Sequence, residues 1–344
     1  MPERTHDVVV AGGGPAGLAV ALGCARAGLD VVVCEKRPGV LDKACGEGLM
    51  PGAVRALETL GVDPPGHPIG GITYRQGDTV AYAPFRNGTG RGVRRTQLHD
   101  ALRAAVDRAG VPVLPCPVTG LTQDEDHVLA GGLRARYLVA ADGLHSSIRD
   151  LVGLTTARAT PAPRWGLRRH FALAPASASV EVTWASRSEA YVTPVSADTI
   201  GVAILSSVRG GFAEQLTAFP DLAARLAGAR PVSPVRGAGP LRQRTAGRVA
   251  GRVLLVGDAA GYIDALTGEG LAVSLSTAAE LVRCLRAGRP GDYERAWART
   301  SRRSRWLTES LLWARNRAAL ARLIVPAAAR APRLFTAVVD QLAR

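Results

Sequence analysis

The segment from Asp7 to Glu35 leaves this chain few ways to begin folding. An apolar run, Val8-Val9-Val10, leads into Gly12-Gly13-Gly14-Pro15-Ala16-Gly17, and a second, Val31 to Cys34, ends on Glu35. A short buried strand delivering the chain into a turn gives each glycine its own task. Gly12 allows the tight bend, Gly14 lets the backbone approach a pyrophosphate, and Gly17 lets the following helix pack against the strand. That helix, expected from about Ala16 to Ala27 with Pro15 at its approach, points its free amides and positive dipole end at phosphates. Glu35 falls about 20 residues beyond the glycines, where an acid accepts hydrogen bonds from ribose hydroxyls, and Lys36 follows it. Glycine-rich turns also serve as plain connections. Here strand, helix and acid agree on a dinucleotide-type site.

Two later segments extend that site. Ala141-Asp142-Gly143 stands in mid-chain with Ser146, Ser147 and Arg149 behind it, and Leu254-Leu255-Val256-Gly257-Asp258 comes late. The strand expected at Val253 to Val256 places Asp258 at the carboxyl end of a parallel strand, where doubly wound folds bind ligands. A helix starting near Gly268-Glu269-Gly270-Leu271 offers a second set of free amides. A long cofactor uses both ends of such a site, which favours FAD over NAD.

With these motifs in this order, the chain resembles the FAD-dependent oxidoreductases related to p-hydroxybenzoate hydroxylase, geranylgeranyl reductases and flavin-dependent halogenases. The resemblance covers most of residues 1 to 290. It implies an α/β fold: a discontinuous Rossmann-like FAD domain (1–60, 96–155, 245–290), an antiparallel β-sheet substrate domain (61–95, 156–244) and a C-terminal helical segment (291–344). It also implies that Asp258 binds the ribityl chain, that Asp142 serves FAD and NAD(P)H, and that Arg95, in Arg95-x-x-Leu98-x-x-x-Leu102, contacts FAD, while the helix start at Gly268, Gly270 and Leu271 is the cofactor's second contact. The chain departs from the aromatic hydroxylases at Ala265 and Ala272, where they usually carry proline and asparagine. Halogenases of this group need a catalytic lysine, and this chain has lysine only at positions 36 and 43.

The formal charge of +14 raises nucleic acid or an anionic membrane as partners. The charge is almost all arginine and is spread along the chain. No nucleic-acid-binding module accompanies it, so attraction of anionic cofactors and substrates is its more economical use. No apolar run approaches the roughly 18 residues of a membrane span and no secretory leader opens the sequence, so a cytoplasmic protein is expected. Five cysteines, at 24, 34, 45, 116 and 284, show neither zinc-site nor disulfide-framework spacing. Cys24 and Cys34 read as small core residues. Cys45 opens the glycine-spaced loop Cys45-Gly46-Glu47-Gly48, which resembles the segment that geranylgeranyl reductases run past the flavin; its plainer reading is a turn before a helix over 52–60.

The substrate lobe is expected as short strands near residues 71–75, 79–83, 165–173, 180–184, 190–195 and 199–205. Strand alternation puts Gly166, Arg168 and His170 on one face. There Arg168 and His170 could bind an anionic or phenolic oxygen, the alternative being surface solvation. Tyr191 and Thr193 are further pocket candidates, unless Tyr191 is simply core. The last segment reads as helices interrupted at Pro326 and Pro332. Between Trp297 and Trp313, apolar residues recur at helical spacing amid arginines, which suits either packing on the FAD domain or contact with a membrane surface or greasy substrate. The favoured reaction is NAD(P)H-dependent hydroxylation of an aromatic, quinonoid or polyketide-type small molecule. The alternatives are reduction of carbon double bonds in a polyprenyl or other lipophilic substrate, and a flavin-binding protein without turnover.

Overall fold

A computed structural model describes residues 5–156 and 163–343. The first strand, Thr5–Ala11, lies inside a sheet whose order runs Val249–Ala250, Val253–Leu255, Leu133–Ala140, Thr5–Ala11, Val31–Cys34, Val113–Leu114. The central pairings are parallel: Val8 to Ala11 sit beside Tyr137 to Ala140 on one side and Val31 to Cys34 on the other. Val8, Val9, Val10, Val33 and Leu138 are fully buried, as strands covered on both faces require. The chain adds a neighbour first on one side of Thr5–Ala11 and later on the other. The crevice at the strand ends on that side is the switch point where doubly wound folds bind ligands.

Helix Pro15–Arg26 packs over this sheet with helix Gly270–Arg286 against it. The helix starts one residue before the sequence reading, with proline in its first turn, where the missing N–H costs nothing. The second sheet runs Arg230–Pro231, Trp165–Ala172, Thr199–Ser206, Ser188–Pro194, Ser179–Trp184, Gly71–Gln76, Thr79–Pro84. All six strands expected in the substrate lobe are present. The lobe is not wholly antiparallel, however: Ser179 to Thr183 pair in parallel with Gly71 to Arg75, because those two strands come from separate insertions and the connection between them crosses the other domain.

Cys34 and Cys116 form a disulfide, which corrects the reading of Cys34 as a simple core thiol. Their separation of 82 positions concealed the pairing, which arises because Val113–Leu114 docks beside Val31–Cys34. Pro326 does not break a helix. It sits in the first turn of Ile324–Arg330, where proline is tolerated; Pro332 likewise opens Pro332–Leu342. The long helix Asp292–Arg315 ties the segments together through Arg315, which with Arg164 clasps the fully buried Glu189. Asp264 completes that cluster at 3.4 Å from Arg164, and burial, against the pull of Arg164, raises its carboxyl to about 6. No helix among the described residues is long and apolar enough to cross a membrane.

Candidate functional site

The fingerprint glycines are required by close backbone approach. Gly12 has φ +113°, and a Cβ there would lie 2.4 Å from the Ala141 carbonyl oxygen; at Gly17 it would lie 2.0 Å from the Gly12 carbonyl oxygen. Side chains never come that close, so Gly12 and Gly17 set how tightly turn, helix and the Ala141-Asp142 segment converge. Gly14 differs, since a Cβ there would meet no protein atom within 4 Å. It is the cap of helix Pro15–Arg26 and no side chain caps the helix, leaving its amides for another acceptor.

Glu35 accepts hydrogen bonds from the Gly13 amide (2.7 Å) and the Arg37 amide (2.9 Å). Burial raises its carboxyl, but those amides and the Arg37 guanidinium outweigh it and hold Glu35 below the ordinary glutamate range. Lys36 is exposed. His99, one turn along the helix that begins at Arg95, braces the same loop. Its Nε2 lies 3.0 Å from the Gly13 carbonyl and its Nδ1 3.4 Å from the Leu41 amide, an arrangement that suits the neutral ring with Nε2–H donating. Burial, then Arg95, lowers the pKa of His99.

The three separated motifs meet here. Arg149 is buried, with Nη1 donating to the Ala259 carbonyl (3.2 Å) and Nη2 to the Leu144 carbonyl (3.3 Å), so the mid-chain motif is fastened to the late one. Asp142 accepts from the Ile148 amide at 3.2 Å through Oδ2, while its Oδ1 is buried without a partner. Arg95 Nη1 is likewise buried and unpartnered. Asp258 stands in the turn Gly257–Ala260; burial raises its pKa, with Lys43 and Arg95 pulling it down. Gly270 opens helix Gly270–Arg286, Gly268 before it has φ +71°, and Leu271 packs half-buried against the core of the first domain. A buried cation and carboxylate oxygen lacking protein partners, beside an uncapped helix start, fit a phosphate-bearing, hydroxyl-rich cofactor.

The substrate-lobe candidates are placed differently from one another. Arg168 and His170 are each 1% exposed, so neither is a solvated surface residue. Arg168 Nη2 donates to Asp42 and to the Lys43 carbonyl (3.1 Å), and Nη1 lies 3.2 Å from His170 Nδ1. His170 Nε2 lies 2.6 Å from Glu47 Oε2 and its Nδ1 2.9 Å from Ser233 Oγ. Apart from Arg168 Nε, which is buried without a hydrogen-bond partner and lies 3.7 Å from Glu47, these polar atoms are thus spent on the 42–47 loop and its surroundings. Thr193 Oγ1 donates to the Gly46 carbonyl (2.8 Å), and Tyr191 Oη to the Leu266 carbonyl (2.8 Å), so the strand Ser188–Pro194 holds both the Cys45-Gly46 loop and the loop at Leu266. Cys45 is half-buried; burial, then the Glu47 carboxylate, raises its thiol pKa, which keeps it protonated.

Glu47 is the residue that the sequence reading passed over. It has φ +62°, and its other oxygen accepts from the Arg95 amide at 2.8 Å. A Cβ on Gly201 would sit 2.8 Å from its Oε2, so that glycine makes room for the carboxylate. An acid between two glycines was visible in the sequence, but not its distant counterparts.

A cavity of about 60 Å³ lies between the Gly257–Gly270 segment and helix Asp292–Arg315, lined by Asp258, Tyr262, Thr267, Glu269, Ser304 and Thr308 among others. Ser304 donates to Glu269 at 2.9 Å and Thr267 pairs with Thr308 at 2.9 Å. Burial raises Glu269 from 4.5 to about 7, only partly offset by Ser304, Thr267 and Arg303. A carboxyl raised in the folded state binds more protons than in the unfolded chain between those values, so its stabilising contribution is complete below 4.5 and is lost as pH rises through about 7. Glu269→Gln should therefore melt higher than wild type above pH 7, by roughly 2–4 °C, and the gap should close towards pH 4.5. Parallel thermal melts across that range would discard the raised carboxyl if the gap is constant.

A family model described as FAD binding domain matches residues 5–217. The chain belongs to that FAD-dependent oxidoreductase family. Across 327 residues it is 29% identical to menaquinone reductase of Mycolicibacterium smegmatis, covering 85% of this chain and 79% of that protein. It is 26% identical over 320 residues to aurachin C monooxygenase/isomerase of Stigmatella aurantiaca, covering 81% and 80%. Among solved structures, the flavin-dependent brominase Bmp2 superposes with a TM-score of 0.82 at 16% identity, covering 99% of this chain and 94% of that one. That last likeness speaks to the fold alone.

Proposed function

We propose that this family member reduces a carbon double bond of a lipophilic quinonoid or polyprenyl compound, using FAD reduced by NAD(P)H. The observation that carries the reading is the commitment of Arg168 and His170 to Asp42, Glu47 and Ser233. Hydroxylation of a phenol draws on a polar handle for the phenolic oxygen, and these two side chains were the handle expected in this lobe. The similarity to a menaquinone reductase over most of both chains points the same way. Oxygen insertion is the second reading, favoured by the likeness to aurachin C monooxygenase/isomerase.

FAD, when bound, supplies the two-electron chemistry, and the protein supplies binding, orientation and a dry site. The amides of helix Pro15–Arg26 and the Gly12–Gly14 turn would hold the pyrophosphate, Glu35 the ribose and Asp258 the ribityl hydroxyls, and Asp142 and Arg95 would complete the polar cradle. Arg168, His170 and Thr193 would serve as positioning residues, fixing the loop from Asp42 to Glu47 through Asp42, Glu47 and the Gly46 carbonyl. Incubating the FAD-loaded enzyme and NAD(P)H with quinones, polyprenyl compounds and phenols, with and without labelled oxygen, separates the readings by product mass. A gain of two hydrogens without oxygen is expected; a labelled oxygen atom in the product would establish the monooxygenase instead.

A further inference from the structure

Helix Asp292–Arg315 has two chemically distinct sides. Trp297, Ser301, Thr308, Leu312 and Arg315 are buried at helical spacing, and with Ser304 they face the cavity and the Glu189 cluster. On the opposite side, Trp306 and Trp313, seven residues apart and therefore nearly eclipsed, are 67% and 56% exposed. Arg295, Arg299, Arg302 and Arg303 are exposed on the same side. The Arg317 guanidinium lies 3.8 Å from the Trp313 ring centroid. Glu309, the acid nearest the tryptophans on this face, is paired with Arg242 at 3.0 Å, so the face carries a surplus of positive charge.

We infer that the outer face of this helix docks on an anionic lipid surface, with Trp306 and Trp313 seated at the headgroup level. Indole rings have an apolar body and a polar N–H, which suits them to a membrane–water boundary, and arginines beside them complement anionic headgroups. Attachment is peripheral, since no described helix is a candidate span. A second copy of the chain fits the face poorly, because a two-fold contact would set arginine against arginine. The cavity beside Asp258 lies on the other side of the same helix, so the surface would bring a membrane-dissolved substrate within about one helix diameter, ~10 Å, of the cofactor segment.

The inference extends the reading above to where its substrate is met, but its test measures no turnover, so the two can fail separately. FAD-loaded protein is sedimented with vesicles of phosphatidylglycerol and phosphatidylcholine, and with phosphatidylcholine alone. Pelleting with the anionic vesicles only, reversed by high salt, is expected. Trp306→Ser/Trp313→Ser and Arg299→Glu/Arg302→Glu should each weaken that partition by about tenfold or more, with melting temperature and FAD content as checks on folding. Failure to pellet with anionic vesicles, or wild-type pelleting by both variants, overturns the inference. So does sedimentation velocity showing a dimer that the tryptophan variant dissolves while vesicles go unbound, which would assign the face to a second copy. Tryptophan-dependent binding of duplex DNA without vesicle binding would overturn it equally.

Discussion

Arg95→Ala protein should emerge from purification with little FAD, binding it at least about a hundredfold more weakly than wild type. The side chain is 7% exposed, and Nη1 has no partner in the protein. Burial lowers the pKa of Arg95, with Cys45, Asp258, Glu47 and Asp42 opposing that shift. A buried cation left short of hydrogen bonds is costly, and losing one side of a buried charge pair typically costs about 3–5 kcal/mol, more than a hundredfold in affinity. The same reasoning gives a readout independent of activity. Without FAD, the alanine variant should lose little stability against wild type, because it removes a buried guanidinium whose Nη1 has no protein partner; with saturating FAD, it should fall behind. Calorimetric FAD titration and melts of both states test this, and unchanged affinity in Arg95→Ala would remove the residue from the cofactor site.

The second large effect is structural. Glu47→Ala should lower stability by about 3–5 kcal/mol, because it removes the buried carboxylate that His170 Nε2 and the Arg95 amide share in the interior. Glycine relieves the left-handed backbone that alanine would keep, worth on the order of 1 kcal/mol, so Glu47→Gly should be less damaging than Glu47→Ala. A cycle with His170→Ala isolates the contact at 2.6 Å, and coupling of at least about 0.5 kcal/mol is expected. Urea unfolding of the FAD-saturated proteins supplies the numbers. Additive single and double variants would show that Glu47 and His170 do not act together.

How much of this was legible in the residues depended on how far apart the interacting parts lie. The turn at Gly12 and Gly17 and the acid at Glu35 could be read because strand, turn, helix and acid are consecutive and leave a local pattern. The six substrate-lobe strands were legible for the same reason, since alternation is a property of each strand by itself. Alternation also put Arg168 and His170 on one face, but could not say what that face meets. Their partners Asp42 and Glu47 are 126 and 123 residues away, and a charged pair on a strand looks the same in sequence whether it faces solvent, a ligand or another loop. Cys34 and Cys116 were missed on similar grounds. Their pairing follows from a short parallel strand, Val113–Leu114, too brief to leave a periodic signal.

The interior position of Thr5–Ala11 in its sheet also imposes an order in time. Its neighbour Leu133–Ala140 lies more than a hundred residues downstream, and the next strand, Val253–Leu255, completes the row that carries Asp258. At synthesis rates of about 5–20 residues per second, roughly 10–50 s separate the appearance of the glycine turn from that of Asp258. Until Leu133–Ala140 is made, about half-way through that interval, the N-terminal strand has one open edge, and throughout it the segment that carries Asp258 is still missing. If Asp258 holds FAD as proposed, loading of the cofactor would follow synthesis of most of the chain.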